Sequence, residues 1–190
     1  SEIGVIADDS ANPVHLAADL LSQAEHDPRA RAIMVTTSES LANAVSDEVE
    51  RQLKLLPRES IARPAIENNS YIAVMDSVED MFTVMNEVAP EHLEIQLPDP
   101  MGYMSLVQNA GSVFLGAYAS EPLGDYVGGT NHVLPTSGTA RFSSPLGVYD
   151  FVKRTSFTQF TRERLEEVAT HITTLARTEG LEAHARAIEV

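Results

Sequence analysis

Four places in this sequence hold side chains of the kind that bind cations or move protons. In Gln23-Ala24-Glu25-His26, Gln23 and His26 stand three apart at the predicted end of a helix, so both leave one face and can meet one ion. Asp27-Pro28 then breaks the helix and sets the pair at a loop mouth. A polar C-terminal turn, with His26 favourably placed against the helix dipole, is the plainer use of the same residues, and neutral Gln is an uncommon ligand for transition metals. Glu91-His92 follows Pro90 at the mouth of a predicted strand. A carboxylate and an imidazole there suit water activation and proton shuttling, or else face solvent in an ordinary turn. Asp125, seven residues before His132, is a hard oxygen ligand in glycine-rich sequence, or a turn-former beside Gly124. His184, with Glu179 just ahead of it, is the fourth candidate, a surface histidine being the commoner fate. Gln23, His26, Asp125 and His184 together can complete a coordination sphere of nitrogen and oxygen alone.

The apolar pattern supplies the elements that must hold these residues. Ile3–Ala7, Ala32–Thr36, Ser70–Met75, Leu93–Leu97 and Ser112–Leu115 are short, rich in β-branched residues and nearly continuous in apolarity, as suits parallel strands covered on both faces. Helix starts stand between them. Asn12-Pro13 is an N-cap with Pro at the first position; Ser38 caps a helix stopped by Pro57; Ser77 and Asp80 have the spacing of a capping box. The pattern predicts an α/β fold: an open, mostly parallel, incomplete Rossmann-like sheet of about five strands with helices on both faces. Gly116 to Gly147 shows no helical period and reads as one long functional loop. Helical periodicity returns from Thr161, stops at Gly180 and resumes from about Leu181. Residues 1–145 are therefore expected to form an α/β domain carrying the Gln, His and Asp candidates and the Glu-His pair. Residues 146–190 are expected to form a mainly helical C-terminal extension.

Composition narrows the partners. The 190 residues include no cysteine, which removes disulfides, thiolate zinc sites and cysteine nucleophiles, and suits a reducing cytoplasm. Lys plus Arg number 13 against 28 Asp plus Glu, a net charge of −15, so phosphate backbones and anionic membranes are poor partners. No apolar run approaches the ~20 residues of a membrane span. Neither glycine-rich nucleotide fingerprint occurs, and Asp8-Asp9-Ser10 after the first strand is a poor cradle for a pyrophosphate.

Longer motifs then point to one family. Leu20-Leu21-Ser22-Gln23-Ala24-Glu25-His26, Pro90-Glu91-His92-Leu93, Ala110-Gly111-Ser112-Val113-Phe114-Leu115-Gly116, Gly124-Asp125-Tyr126 and Gly129-Thr130-Asn131-His132-Val133-Leu134-Pro135-Thr136 occur in that order, with Leu146-Gly147-Val148, Asp150-Phe151 and Ala183-His184 after them. The chain resembles the C-terminal part of the histidinol dehydrogenases. The resemblance implies oxidation of L-histidinol to L-histidine through an aldehyde, with two NAD⁺ and a bound zinc, in histidine biosynthesis. It implies that Gln23, His26, Asp125 and His184 hold the zinc, although these ligands would accept manganese too. It further implies that Glu91 activates water and that His92 is the general base. Ser1, Gln23, His26, His92, Asp125, Glu179 and His184 would touch substrate, and His132 would assist.

The chain begins at Ser1, directly before a predicted strand, as though in the middle of something. By the resemblance, the N-terminal part that contacts NAD is absent, so this chain alone is expected to bind NAD poorly and turn over little or no histidinol. The resemblance also implies a cytoplasmic homodimer whose C-terminal elements carry Glu179 and His184 into the partner's site. A non-catalytic dimerising scaffold and a metal-dependent hydrolase using Glu91 are the competing readings.

Overall fold

The computed structural model describes residues 1–189. Its backbone divides into two compact units, Ser1–Phe151 and a second that begins at Val152. The first unit is built on five parallel strands: β1 (Glu2–Ala7), β2 (Arg31–Thr36), β3 (Tyr71–Val74), β4 (His92–Gln96) and β5 (Ser112–Leu115). They lie in the order β3-β2-β1-β4-β5, with Ile3 opposite His92 and Val5 opposite both Met34 and Glu94.

Local signals explain the helices. In α1 (Pro13–Ala24) the Asn12 side chain accepts from the Val14 N–H, and Pro13 opens the first turn. Ser38 likewise caps α2 (Glu39–Leu53) through the Leu41 N–H. In α4 (Val78–Val88) the Ser77 hydroxyl accepts from the Asp80 N–H and donates to the Asp80 carboxylate, a capping box closed by Asp instead of Glu. The α2 helix ends at Leu53, ahead of the expected stop at Pro57, and α3 (Glu59–Asn69) follows it with Pro64 inside. No helix over these residues stands among the expected elements, and an internal Pro64 is unfavourable in one. The helix survives by packing Ala62 and Ala65 into the core and by ion pairs from Arg63 to Glu59, Glu50 and Glu67.

Two apolar layers enclose the sheet. Ile3, Val5, Ala7, Ala32 and Met34 pack against α1, α2 and α3 on one face. Ile6, Ile33, Val35, Leu93, Ile95 and Leu97 pack against Met81, Phe82 and Met85 of α4 on the other. β4 thus alternates: Leu93 and Ile95 enter the α4 layer, while His92, Glu94 and Gln96 turn, all buried, to the α1 face. The expected continuous apolarity of this strand is corrected here, and its start moves back to take in His92.

The segment from Gly116 to Gly147 is not one loop. It contains α5 (Glu121–Tyr126) and a single 3₁₀ turn at Thr139–Arg141. A six-residue helix containing Gly124 has too little periodicity to be read from sequence. Its glycine is required by packing: a Cβ there would lie 2.7 Å from Phe114 Cζ.

The second unit is a helical hairpin, α6 (Arg162–Thr178) and α7 (Glu182–Glu189). Thr161 caps α6 through the Arg164 N–H, and Gly180 turns the chain at φ 77°. Ala176 and Ala185 are buried between the helices. Among the described residues, no helix is long and apolar enough to cross a membrane.

Candidate active site

Parallel pairing of β1 and β4 brings the start of the chain beside Glu91-His92, 90 residues away. The Glu91 Oε2 atom accepts from the Glu2 N–H at 3.1 Å and from the Ser1 hydroxyl at 3.2 Å, which leaves its second oxygen for other work. The His92 ring is set by its Nδ1, which lies 3.0 Å from the Glu2 carbonyl. A carbonyl only accepts, so Nδ1 carries the proton and Nε2 is the free nitrogen of the neutral ring. That Nε2 lies 3.2 Å from Glu121 Oε1, and His92 is stacked at a tilt 6.1 Å from the Phe114 ring.

Gln23 stands on the last turn of α1 and is fully buried; its Oε1 meets the Ser1 hydroxyl. The helix ends at Ala24, so His26 belongs to the turn beyond it, where it is exposed. The shared helix face expected of Gln23 and His26 is corrected accordingly. The α5 helix supplies Glu121 and Asp125, four residues apart and hence on one side. Donor atoms of His92, Glu121 and Asp125 all lie within 4.8 Å of one another.

Four buried polar atoms of this cluster make no well-formed hydrogen bond, Gln23 Nε2, His92 Nε2, Glu121 Oε1 and Glu2 Oε2, although His92 Nε2 and Glu121 Oε1 face each other at 3.2 Å. Such atoms are expensive unless a ligand meets them. The set is nitrogen and oxygen only, includes an imidazole and two carboxyls, and so fits a zinc ion with its substrate. Burial pushes the Glu121 carboxyl up to about 7; the Asp125 charge adds to this, and the neighbouring Gln23 amide opposes it.

Sequence reading missed Glu121, Glu94 and Asp19. Burial raises the carboxyl of Asp19, and burial together with the Asp19 charge raises that of Glu94 to about 8. Two signals were present: the polar residues at every second position of β4, and Asp19 four residues before Gln23 on α1. His132 is exposed in the first unit. Glu179 and His184 belong to the second unit, where Glu179 caps the end of α6 and His184 sits in the first turn of α7, both exposed.

At the carboxyl ends of the strands, where open α/β sheets ordinarily take nucleotides, β1 runs into Asp8, Asp9 and Ser10. The Asp8 carboxylate accepts from the Ser10 N–H and hydroxyl at 3.0 and 2.5 Å. Carboxylates at that position disfavour a pyrophosphate, so this chain's own residues do not fit NAD there.

The histidinol dehydrogenase family model matches residues 1–190. Histidinol dehydrogenases of Lactiplantibacillus plantarum and Streptococcus mutans are 69% and 63% identical over all of this chain, which spans 44% of each. The crystal structure of histidinol dehydrogenase from Elizabethkingia anophelis superposes with a TM-score of 0.84 at 42% identity, over 100% of this chain and 43% of that one. These shares measure how much of each relative is matched; they assign it to neither end, so the expected C-terminal placement gains nothing from them. With the family model matched throughout and relatives more than half identical along the whole chain, the chain belongs to the histidinol dehydrogenase family.

Proposed function

We propose that this chain supplies the metal and proton-transfer site of an NAD-dependent zinc histidinol dehydrogenase, which oxidises L-histidinol to L-histidine through the aldehyde in the cytoplasm. The observation that carries this reading is the gathering of donor atoms of His92, Glu121 and Asp125, the first two residues buried, within 4.8 Å of one another, beside Gln23 and Glu91. Gln23, His26, Asp125 and His184 would hold zinc, which, when bound, would supply a Lewis-acid template for the substrate. When bound in the whole enzyme, NAD⁺ would supply the hydride acceptor.

The residues of this chain handle the protons. His92, held by the Glu2 carbonyl, offers Nε2 to the alcohol proton as the carbinol C–H bond breaks, leaving the aldehyde. Glu91, fixed through one oxygen, uses the other to draw a proton from water as the water oxygen bonds to the aldehyde carbon. After that first proton has passed from His92 to solvent, Nε2 is free again and takes the proton of the hydrated aldehyde at the second oxidation, which yields the carboxylate. Ser1 and Glu179 would position the substrate. In a homodimer, the helical hairpin would carry Glu179 and His184 into the site of a second copy.

The chain spans less than half the length of the relatives it matches. With acidic residues where a pyrophosphate would sit, it is expected to bind NAD weakly and produce little NADH alone. Zinc content and NADH formation test both halves of the reading. About one zinc per chain, with activity only when the remaining segments of the enzyme are present, supports it. No zinc would favour the scaffold, and ester hydrolysis without NAD would favour a hydrolase.

A further inference from the structure

The α5 helix carries Glu121 and Asp125, yet at six residues it cannot hold itself in place. Its N-cap residue, Ser120, makes no capping hydrogen bond with its own helix. The Ser120 hydroxyl instead donates to Asp19 Oδ1 of α1 at 2.5 Å, across 101 residues of sequence. The first N–H of the helix, that of Glu121, donates to Glu94 Oε1 of β4 at 2.9 Å. Gln96 Nε2 donates to the other Glu94 oxygen at 3.1 Å, which sets the carboxyl plane. Glu94 is fully buried and Asp19 is 7% exposed.

Burying two carboxyl groups side by side is unfavourable, and well-packed apolar residues would serve stability as well or better. Their hydrogen bonds have a shared destination: both reach the first turn of α5. We propose that Asp19 and Glu94 are positioning residues, a buried carboxyl pair that caps α5 from two neighbouring elements and thereby sets Asp125 and Glu121 against His92 and Gln23. The inference rests on the zinc-site reading above for its consequence, and on the hydrogen bonds alone for its geometry. Supporting groups of this kind commonly change metal affinity by ~10–100-fold when removed.

The test compares Glu94→Ala, Glu94→Gln, Glu94→Met and Ser120→Ala in the full chain. The readouts are zinc affinity by chelator competition and amide exchange over residues 121–127. Glu94→Ala should weaken zinc binding by about tenfold or more and speed exchange in α5. Glu94→Gln, which keeps an oxygen for the Glu121 N–H, should restore both to within about threefold of the parent chain, whereas Glu94→Met, of similar volume but with no acceptor, should not; a merely space-filling role would let both restore them. Ser120→Ala leaves β4 untouched and keeps the test decisive if Glu94→Ala fails to fold; it should weaken zinc binding by roughly threefold or more. Unchanged zinc affinity and exchange in the Ala variants, equal loss in Glu94→Gln, or equal recovery in Glu94→Met, overturns the proposal. Absence of zinc from the parent chain would instead strike at the proposed function, while the exchange measurement would still decide the positioning of α5.

Discussion

Glu94→Gln separates charge from shape at a carboxyl with no exposed surface. Burial, then the neighbouring Asp19 charge, raises this group from 4.5 to about 8. Below about pH 4.5 it is protonated in both folded and unfolded chains and contributes no pH dependence. Between about 4.5 and 8 the folded chain keeps the proton that the unfolded chain releases, so stability falls as pH rises, by ~1.4 kcal/mol per unit. Above about 8 both states are ionised and the slope disappears. At pH 7 the loss amounts to about 3 kcal/mol, the slope multiplied by the interval from 4.5. Glutamine keeps an acceptor for the Glu121 N–H and cannot ionise, so, with the Gln96 amide turned to accept from the new NH2, the variant should gain on the parent chain by about 3 kcal/mol between about pH 4.5 and pH 7. Urea unfolding followed by tyrosine fluorescence measures this in the first unit alone, because Tyr71, Tyr103, Tyr118, Tyr126 and Tyr149 all precede Val152 and the chain has no Trp. A difference between variant and parent that stays constant from about pH 5 to pH 8 would refute the reasoning.

Gly124→Ala places a methyl group 2.7 Å from Phe114 Cζ and should lift α5 from the sheet. The expected loss is ~1–3 kcal/mol of stability together with weaker zinc binding, read by urea unfolding and chelator competition. Ser77→Ala removes both contacts of the capping box of α4 and should lower stability by ~1 kcal/mol with no change in zinc affinity. In the intact enzyme, Glu91→Gln should slow oxidation of the aldehyde by ~10²-fold or more while oxidation of the alcohol is largely retained. His92→Asn should slow both by ~10²–10⁴-fold. Single-turnover assays starting from histidinol and from histidinal distinguish these two residues, and equal effects of Glu91→Gln on the two steps would contradict its role in hydration.

Asn12-Pro13, Ser38, Ser77 with Asp80, and Gly180 mark helix ends through contacts within three residues, and each stands in the structure where the sequence put it. The five strands were legible for a similar reason: short β-branched runs between amphipathic stretches suit one common architecture. What sequence reading missed depends on contacts far apart in the chain. The α3 helix holds Pro64 because Ala62 and Ala65 are buried under other elements. The α5 helix exists because Gly124 lets it lie on Phe114 and because Asp19 and Glu94 receive its first turn.

The Glu91-His92 pair and Asp125 were readable as chemistry from their types and motifs, but Glu121, Glu94 and Asp19 look like ordinary members of an acidic surface. Only the strand order β3-β2-β1-β4-β5, which lays β4 beside β1 and under α1, removes those three carboxyls from water. Sequence alone therefore determined the caps, the strand runs and the family motifs, since these are local patterns. Tertiary structure decided which acids are buried and what they face, because the desolvation of a carboxyl is set by neighbours that the chain brings in from elsewhere.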